Sequence, residues 1–107
     1  MSTEGHPAEN VSLLEIDRLV HEPARLTLLS HLYVVEATDF VFLMGQTGLT
    51  QGNLSSHLSK LEAAGYVGIT KEFVGKRPRS LIELTPAGRQ AFRRYVARMR
   101  QALAELP

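Results

Sequence analysis

The 107-residue chain contains neither cysteine nor tryptophan, and only 7% of its residues are aromatic. Without cysteine there is no disulfide framework, no thiolate ligand for zinc or an iron–sulfur cluster, and no thiol nucleophile. No apolar run approaches the ~20 residues that span a bilayer, and residues 1–10 lack the basic start and apolar centre of a signal peptide. We therefore expect a cytoplasmic protein of one domain, because domains cluster at roughly 100–150 residues.

The basic and acidic side chains nearly cancel over the whole chain but are unevenly distributed along it. The formal net charge is only +1. Residues 1–59 hold two basic side chains against seven acidic ones, and residues 60–107 hold ten against four. Halves of opposite sign indicate either that one end faces a polyanion or that the two halves attract each other.

Residues 1–10 are predicted to be a disordered tail, because they combine Gly5 and Pro7 with few apolar side chains. Residues 11–107 are predicted to form a single domain. Ser12 can cap a first short helix, and Pro23 suits the first turn of a second helix that ends near Ala37. The apolar face of the first helix consists of Leu13, Ile16, Leu19 and Val20.

A third helix is predicted from Thr38 or Asp39 through Met44, and a fourth from Thr50 to Ala64. The segment between them contains two glycines. Two short helices around such a turn have the layout of a helix-turn-helix, whose second helix lies in the major groove of DNA. We therefore take residues 50–64 as a candidate recognition helix.

The two faces of this helix differ in chemistry. At ~100° per residue, Leu54, Leu58 and Leu61 form one apolar stripe. The opposite face carries short hydroxyl and amide side chains that suit phosphates and base edges, and no acidic residue occurs between Asp39 and Glu62. An ordinary solvated face is the alternative interpretation. The predicted DNA-contacting residues of the helix are Gln51, Gly52, Asn53, Ser55, Ser56, Ser59 and Lys60.

The histidines predict no metal centre. His57 lies on the shoulder between the two faces and is either a structural histidine beside a neighbouring helix or a base reader. His21 and His31 are ten residues apart and have no obvious third ligand. We therefore predict no metal and no cofactor.

After this helix the pattern changes to that of strands. β-forming residues flank the segment Val74–Arg79, in which Gly75 and Pro78 indicate a hairpin with a fairly long loop. A basic hairpin that follows a recognition helix has the layout of a wing, here residues 71–84, which lies on flanking DNA backbone or in the minor groove. A solvated hairpin tip is the alternative. The predicted wing contacts are Lys71, Lys76, Arg77 and Arg79.

Pro86 opens a long last helix whose apolar residues recur at spacings of 4, 3, 4 and 3, which is typical of a coiled-coil seam. Two heptads are too short to be stable alone, so the seam must pack on something folded. It can cover the first helix or pair with a second copy of the chain, and we predict residues 86–106 as a dimerisation helix. The predicted interface consists of Phe92, Tyr95, Val96, Met99, Leu103 and Leu106.

Five arginines flank this seam, and we expect them to attract acidic residues of the first helix rather than DNA. The arginines are Arg89, Arg93, Arg94, Arg98 and Arg100. Their expected partners are Glu15, Asp17 and Glu22.

Four segments resemble the winged-helix DNA-binding domains of small MarR/ArsR-like transcriptional regulators. They are TGLTQGNLSSHLSKLEAAGYV from Thr47, KEFVGKRPRS from Lys71, LTPAGR from Leu84 and HEPARL from His21. The resemblance runs from about Leu13 to Leu103. It implies an α+β, mostly helical fold with a hairpin wing, in a homodimer that represses or activates transcription with its recognition helices in successive major grooves. It places contacts on Gln51, Gly52, Asn53, Ser55, Ser56 and Lys60, and on Lys76, Arg77 and Arg79 of the wing.

The third helix departs from this family. Residues Phe40–Met44 are apolar without interruption, whereas the family alternates apolar and polar residues there. A helix that is apolar all round has a second burial partner, which is the first helix, the partner subunit or a small-molecule effector. Metal sensing through cysteine, found in some ArsR-type proteins, is excluded.

The sequence therefore predicts a sequence-specific regulator that binds double-stranded DNA as a homodimer, with no membrane partner and an unknown effector. The alternative is a winged-helix module that binds protein, since the fold does not itself specify DNA binding. An enzyme is not predicted, because the chain lacks a phosphate-cradling glycine loop and a carboxylate pair spaced to act with a histidine.

Overall fold

The computed structural model describes residues 16–107, so the predicted tail and residues 11–15 of the predicted first helix lie outside it. The described chain contains four helices and one antiparallel sheet of three strands. In chain order the elements are α1 Pro23–Val35, β1 Ala37–Asp39, α2 Phe40–Thr47, α3 Gln51–Ala63, β2 Val67–Val74, β3 Arg77–Leu84 and α4 Pro86–Ala104.

The prediction of a first helix is wrong for residues 16–20, which form turns. The Asp17 carboxylate accepts hydrogen bonds from the backbone N–H groups of Leu19 and Val20, over 2.9 and 3.3 Å. Such a local side-chain bond offers the backbone an alternative to helix. Ile16 and Val20 are nevertheless buried in the core, so this apolar segment packs as expected without the helical path.

The four helices begin where a side chain can cap them. Glu22, Asp39, Thr50 and Thr85 each accept a hydrogen bond from the backbone N–H three residues later, over 2.7–3.2 Å. The predicted caps at Asp39 and Thr50 are confirmed. Gly48, with φ of 72°, ends α2 in the left-handed conformation that glycine adopts without strain.

The strand β1 was not predicted, and it completes a sheet of order β1-β3-β2. Its three residues follow Glu36, which ends α1 with a positive φ of 71°. The Glu36 carbonyl then accepts the Leu84 N–H over 2.9 Å. This sharp exit from α1 turns the chain along the edge of β3.

The hairpin has a shorter turn than predicted. The strands pair as far as Val74 opposite Arg77, so Gly75 and Lys76 alone form the turn. Gly75 has a φ of 66° and Lys76 has no positive φ, which is the pattern of a type II′ turn. Arg77 and Arg79 therefore lie on strand β3 and not in a loop.

Pro78 is also in the strand, although it cannot donate to a ladder. In a two-residue hairpin the closing pair exchanges its hydrogen bonds, so the next pair, Phe73 with Pro78, is a non-hydrogen-bonded pair. The nitrogen of Pro78 therefore points away from β2. On that side β1 reaches only Leu81, so Pro78 occupies a free edge where proline is tolerated.

The core lies between α1, α3, the sheet and the first half of α4. The predicted stripe of α3 is confirmed, since Leu54, Leu58 and Leu61 are buried. Gly88 of α4 is also buried, because a Cβ there would lie 2.0 Å from the carbonyl oxygen of Tyr66. This backbone approach fixes where α4 leaves the sheet.

Candidate nucleic-acid interface

The outer face of α3 is exposed along its whole length. The Thr50 cap and the three buried leucines orient the helix so that its polar side chains point away from the core. Their contact with DNA stays a prediction. The seven exposed candidates are Gln51, Gly52, Asn53, Ser55, Ser56, Ser59 and Lys60.

Gly52 has no packing role within the described residues. A Cβ at Gly52 would meet no atom within 4 Å, so the fold itself does not need glycine there. Glycine in a helix costs about 1 kcal/mol relative to alanine. Packing of the core therefore does not explain the glycine at this position.

His57 has the surroundings of a structural histidine. Its side chain is about four-fifths buried, and its Nδ1 accepts from Nη1 of Arg25 over 3.1 Å. Oε1 of Glu22 lies 3.9 Å from the same nitrogen. The backbone N–H of Arg25, helped by the positive charge of its guanidinium group, lowers the pKa of Glu22 below its ordinary value. This cluster ties the start of α1 to α3.

A cleft of about 580 Å³ joins the recognition-helix candidates to the hairpin. Ile69 and Ile82 of the sheet form part of its lining. The polar lining includes residues from both predicted contact sets, so the structure brings the two sets together at this cleft. The polar lining consists of Gln51, Ser55, Ser59 and Lys71 from the predicted sets, together with Glu62 and Ser80.

The basic residues of the hairpin are exposed but not equivalent. Lys76 lies in the turn and Arg77 directly follows it. Arg79 instead donates from Nε to Oε2 of Glu72 over 2.8 Å, across the β2–β3 ladder. Glu72 was not among the predicted site residues, because only the register of β2 and β3 places it opposite Arg79.

A family model and known proteins match this fold. A model described as a winged helix DNA-binding domain matches residues 24–103. The uncharacterized protein MJ0432 of Methanocaldococcus jannaschii is 35% identical over 79 residues, which cover 74% of this chain and 86% of the relative. The chain belongs to the winged helix DNA-binding domain family.

Solved structures agree. A transcriptional regulator homologue from Pyrococcus horikoshii superposes on the winged helix domain with a TM-score of 0.78 and 27% identity, over 84% of this chain and 91% of that one. The regulator BldR from Sulfolobus solfataricus has a TM-score of 0.64 and 25% identity, over 87% and 62%. The resemblance to small transcriptional regulators of MarR type is thereby confirmed, as is the mostly helical winged-helix fold.

The last helix of the winged helix domain divides into two parts. Tyr95, predicted to face a dimer partner, is buried on the core of its own chain, and its hydroxyl oxygen lies 2.7 Å from Nδ1 of His21. Phe92, Val96 and Met99 are half-buried against the same core. Leu103 and Leu106 are 58% and 64% exposed. The predicted seam is therefore part core and part open surface.

Two arginines of α4, Arg89 and Arg93, have other contacts than predicted. Arg93 donates from Nε to the hydroxyl of Tyr33 over 2.8 Å, which lowers the pKa of that phenol. Arg89 lies over the Tyr33 ring, 4.7 Å from its centre, and 4.0 Å from the Glu36 carboxylate. Asp17 accepts from the hydroxyl of Tyr66 over 3.0 Å and lines a small pocket together with Arg94 and Arg98. The contacts of Arg89 and Arg93 connect α4 to the end of α1, in keeping with the structural role expected of the arginines.

The described part of the chain contains no cluster of three or more histidine, aspartate or glutamate side chains that could hold a metal. Among residues 16–107, no helix has the length and apolarity needed to cross a bilayer.

Proposed function

We propose that this winged helix protein is a transcriptional regulator that binds double-stranded DNA in a sequence-specific manner as a homodimer. The observation that carries the proposal is the cleft shared by α3 and the hairpin, because it joins an exposed face of hydroxyl and amide side chains, with Glu62 as its one acidic lining residue, to a basic hairpin. In this proposal α3 enters the major groove and the wing lies on flanking backbone or in the minor groove.

The side chains of α3 and of the hairpin have different roles in the proposed binding. Asn53 and Gln51 carry amides that can make bidentate contacts with adenine and so select sequence. Lys76 and Arg77 carry exposed charges that neutralise phosphates whatever the sequence. Arg79 contributes less, because Glu72 already neutralises it.

Homodimerisation is proposed through the second half of α4. Leu103 in the last turn of α4 and Leu106 just beyond the end of that helix are exposed apolar side chains, and the helix ends at Ala104 rather than at the predicted residue 106. Two copies that pair through this segment bury both leucines and present two recognition helices to one duplex. A two-fold operator then matches the symmetry of the protein.

The first experiment is size-exclusion chromatography with light scattering, with and without a mixed-sequence duplex at two salt concentrations. A dimer that shifts with the duplex at low salt and releases it at high salt supports the proposal. Lys76→Ala removes one phosphate contact from each wing of the dimer and is expected to reduce the slope of log K against log[salt] by about 1.8, at about 0.9 for each contact. Arg18→Ala is the matched control, because it removes one exposed charge outside both the cleft and α4.

Sequence preference provides the second readout. Asn53→Ala is expected to relax the preference at one base pair, with a loss of about 1–3 kcal/mol of discrimination. A wild-type chain that remains monomeric and ignores duplex DNA at low salt would overturn the proposal.

A module that binds protein is the second candidate, favoured by apolar side chains left exposed on α2. Val41 and Phe42 are both exposed, and Leu43 is the one fully buried residue of that helix. The described chain thus covers only part of α2, which is the apolar helix that the sequence predicts as the third. A partner captured through Phe42, together with no salt-sensitive DNA binding, would favour this candidate.

A further inference from the structure

The outer end of the hairpin carries an apolar pair that the described chain leaves uncovered. Phe73 on β2 lies opposite Pro78 on β3. Phe73 is 74% exposed and Pro78 is exposed too. As a non-hydrogen-bonded pair, their Cα atoms are only ~4.5 Å apart, so the two rings adjoin. A phenylalanine left in water at the end of a projecting hairpin contributes nothing to the core.

The register places this pair on the same face of the sheet as the cleft. Ile69 and Lys71 both line that cleft. Side chains alternate along a strand, so Phe73 stands on the face shared by these two residues. At ~3.3 Å per residue, it lies about 7 Å beyond Lys71. The pair therefore extends the surface formed with the outer face of α3.

Charge around the pair favours a polyanion as its partner. Residues 71–80 hold four basic side chains and one acidic one, Glu72, which pairs with Arg79. Lys71 precedes the pair on its own face, and Lys76 lies in the turn beyond it. A narrow apolar wedge framed by cations fits the minor groove of a duplex, where apolar side chains enter between base steps.

We propose that Phe73 and Pro78 form a wedge that enters a base step in the minor groove and bends the duplex. This rests on the proposed function and adds a role that charge alone does not supply. The wing then reads the flexibility of the step, and pyrimidine–purine steps such as TA yield most easily. Val74 lies on the opposite face and is 54% exposed, so it takes no part in the wedge.

The test uses the full chain and a ~30-base-pair duplex with a central TA step and fluorophores at both ends. Phe73→Ala is expected to weaken binding about tenfold, to abolish the bend seen by energy transfer, and to leave the salt slope unchanged. Lys76→Ala should reduce the slope and keep the bend. Val74→Ala, the matched apolar control, should change neither, and Phe73→Leu should restore much of the bend.

A second measurement uses the absence of tryptophan from the chain. Phe73→Trp places a single fluorophore in the wedge, and stacking on bases should quench it when the duplex is added. Because residue 73 is exposed, these variants should retain the melting temperature of the wild type.

The outcomes separate this inference from the proposed function. Wild-type binding with a bend that Phe73→Ala leaves intact overturns the wedge and leaves the DNA-binding function standing. Unquenched Phe73→Trp in a bound complex also overturns the wedge. A wild-type chain that binds no duplex overturns both.

Discussion

The two halves of α4 carry one continuous apolar pattern and have different environments. The first half is anchored: Gly88 contacts the backbone of Tyr66, and Tyr95 is buried beside His21. The second half ends in Leu103 and Leu106, both more than half exposed. The boundary between the halves is at Tyr95. Its partner His21 is two residues before Pro23, so this boundary lies beside the start of α1. Spacing alone therefore specifies a helix face but not the partner that covers it.

The largest expected effect concerns the anchored half. Gly88→Ala places a Cβ 2.0 Å from a backbone oxygen that cannot move without shifting the sheet. We expect the free energy of unfolding to fall by about 3 kcal/mol, measured by urea denaturation.

Gly52→Ala is the matched control for this substitution. Its Cβ enters open space, and alanine is the better helix former, so stability should rise by up to about 1 kcal/mol. Equal losses for the two variants would contradict the close approach of α4 to Tyr66.

The next effect concerns the open half. Leu103→Asp with Leu106→Asp is expected to raise the dimer dissociation constant at least ~100-fold, about 2.7 kcal/mol, because two charges would enter an apolar interface. Light scattering across a dilution series measures it. A variant that remains dimeric at the lowest concentration would remove the second half of α4 from the interface.

A smaller effect is expected when the hydroxyl of Tyr95 is removed and its ring is kept. Tyr95→Phe keeps the buried ring and removes the partner of His21, at an expected cost of about 1 kcal/mol in thermal or urea unfolding. Tyr33→Phe removes an exposed hydroxyl bonded to Arg93 and should cost less. If the order were reversed, the contact between α1 and α4 at Tyr33 would be the stronger anchor.

The smallest effect depends on pH at the start of α1, beside that anchor. The pKa of Glu22 is lower in the folded chain than its ordinary value of 4.5, chiefly because the carboxylate accepts the Arg25 N–H. The ionised group therefore stabilises the fold above that value, and this contribution is lost as pH falls through the lowered pKa. Glu22→Gln should cost up to about 1 kcal/mol at neutral pH, and progressively less as the pH falls from the ordinary pKa through the lowered one. Urea titrations of both proteins at neutral pH and across that lower range provide the comparison.

The helices and their starts could be predicted because they depend on local chemistry. Asp39 and Thr50 are caps followed by helix formers, and Leu54 with its two companions repeats at helical spacing. The hydrogen bonds of Asp17 compete with a helix at residues 16–20. Periodicity does not register that competition, so the prediction failed there.

The remaining errors concern contacts between distant segments. The strand β1 exists because β3 offers it an edge, and its three residues carry no strand pattern of their own. Gly75 and Pro78 both indicate a turn, but only the register of β2 and β3 shows that Pro78 lies within a strand. In the candidate site, the exposed face of α3 could be predicted because it lies opposite the leucine stripe. The pairing of Arg79 with Glu72 could not be predicted without the register of β2 and β3.

The two-residue turn of the hairpin bears on the entropy that the wing loses when it binds. Because Gly75 and Lys76 join strands that are already paired, the backbone that carries Lys76 and Arg77 is ordered before any encounter. Binding then immobilises only side chains, at roughly 0.5–1.5 kcal/mol each. A loose loop of the length first expected would also lose backbone entropy, about 1–2 kcal/mol for every residue.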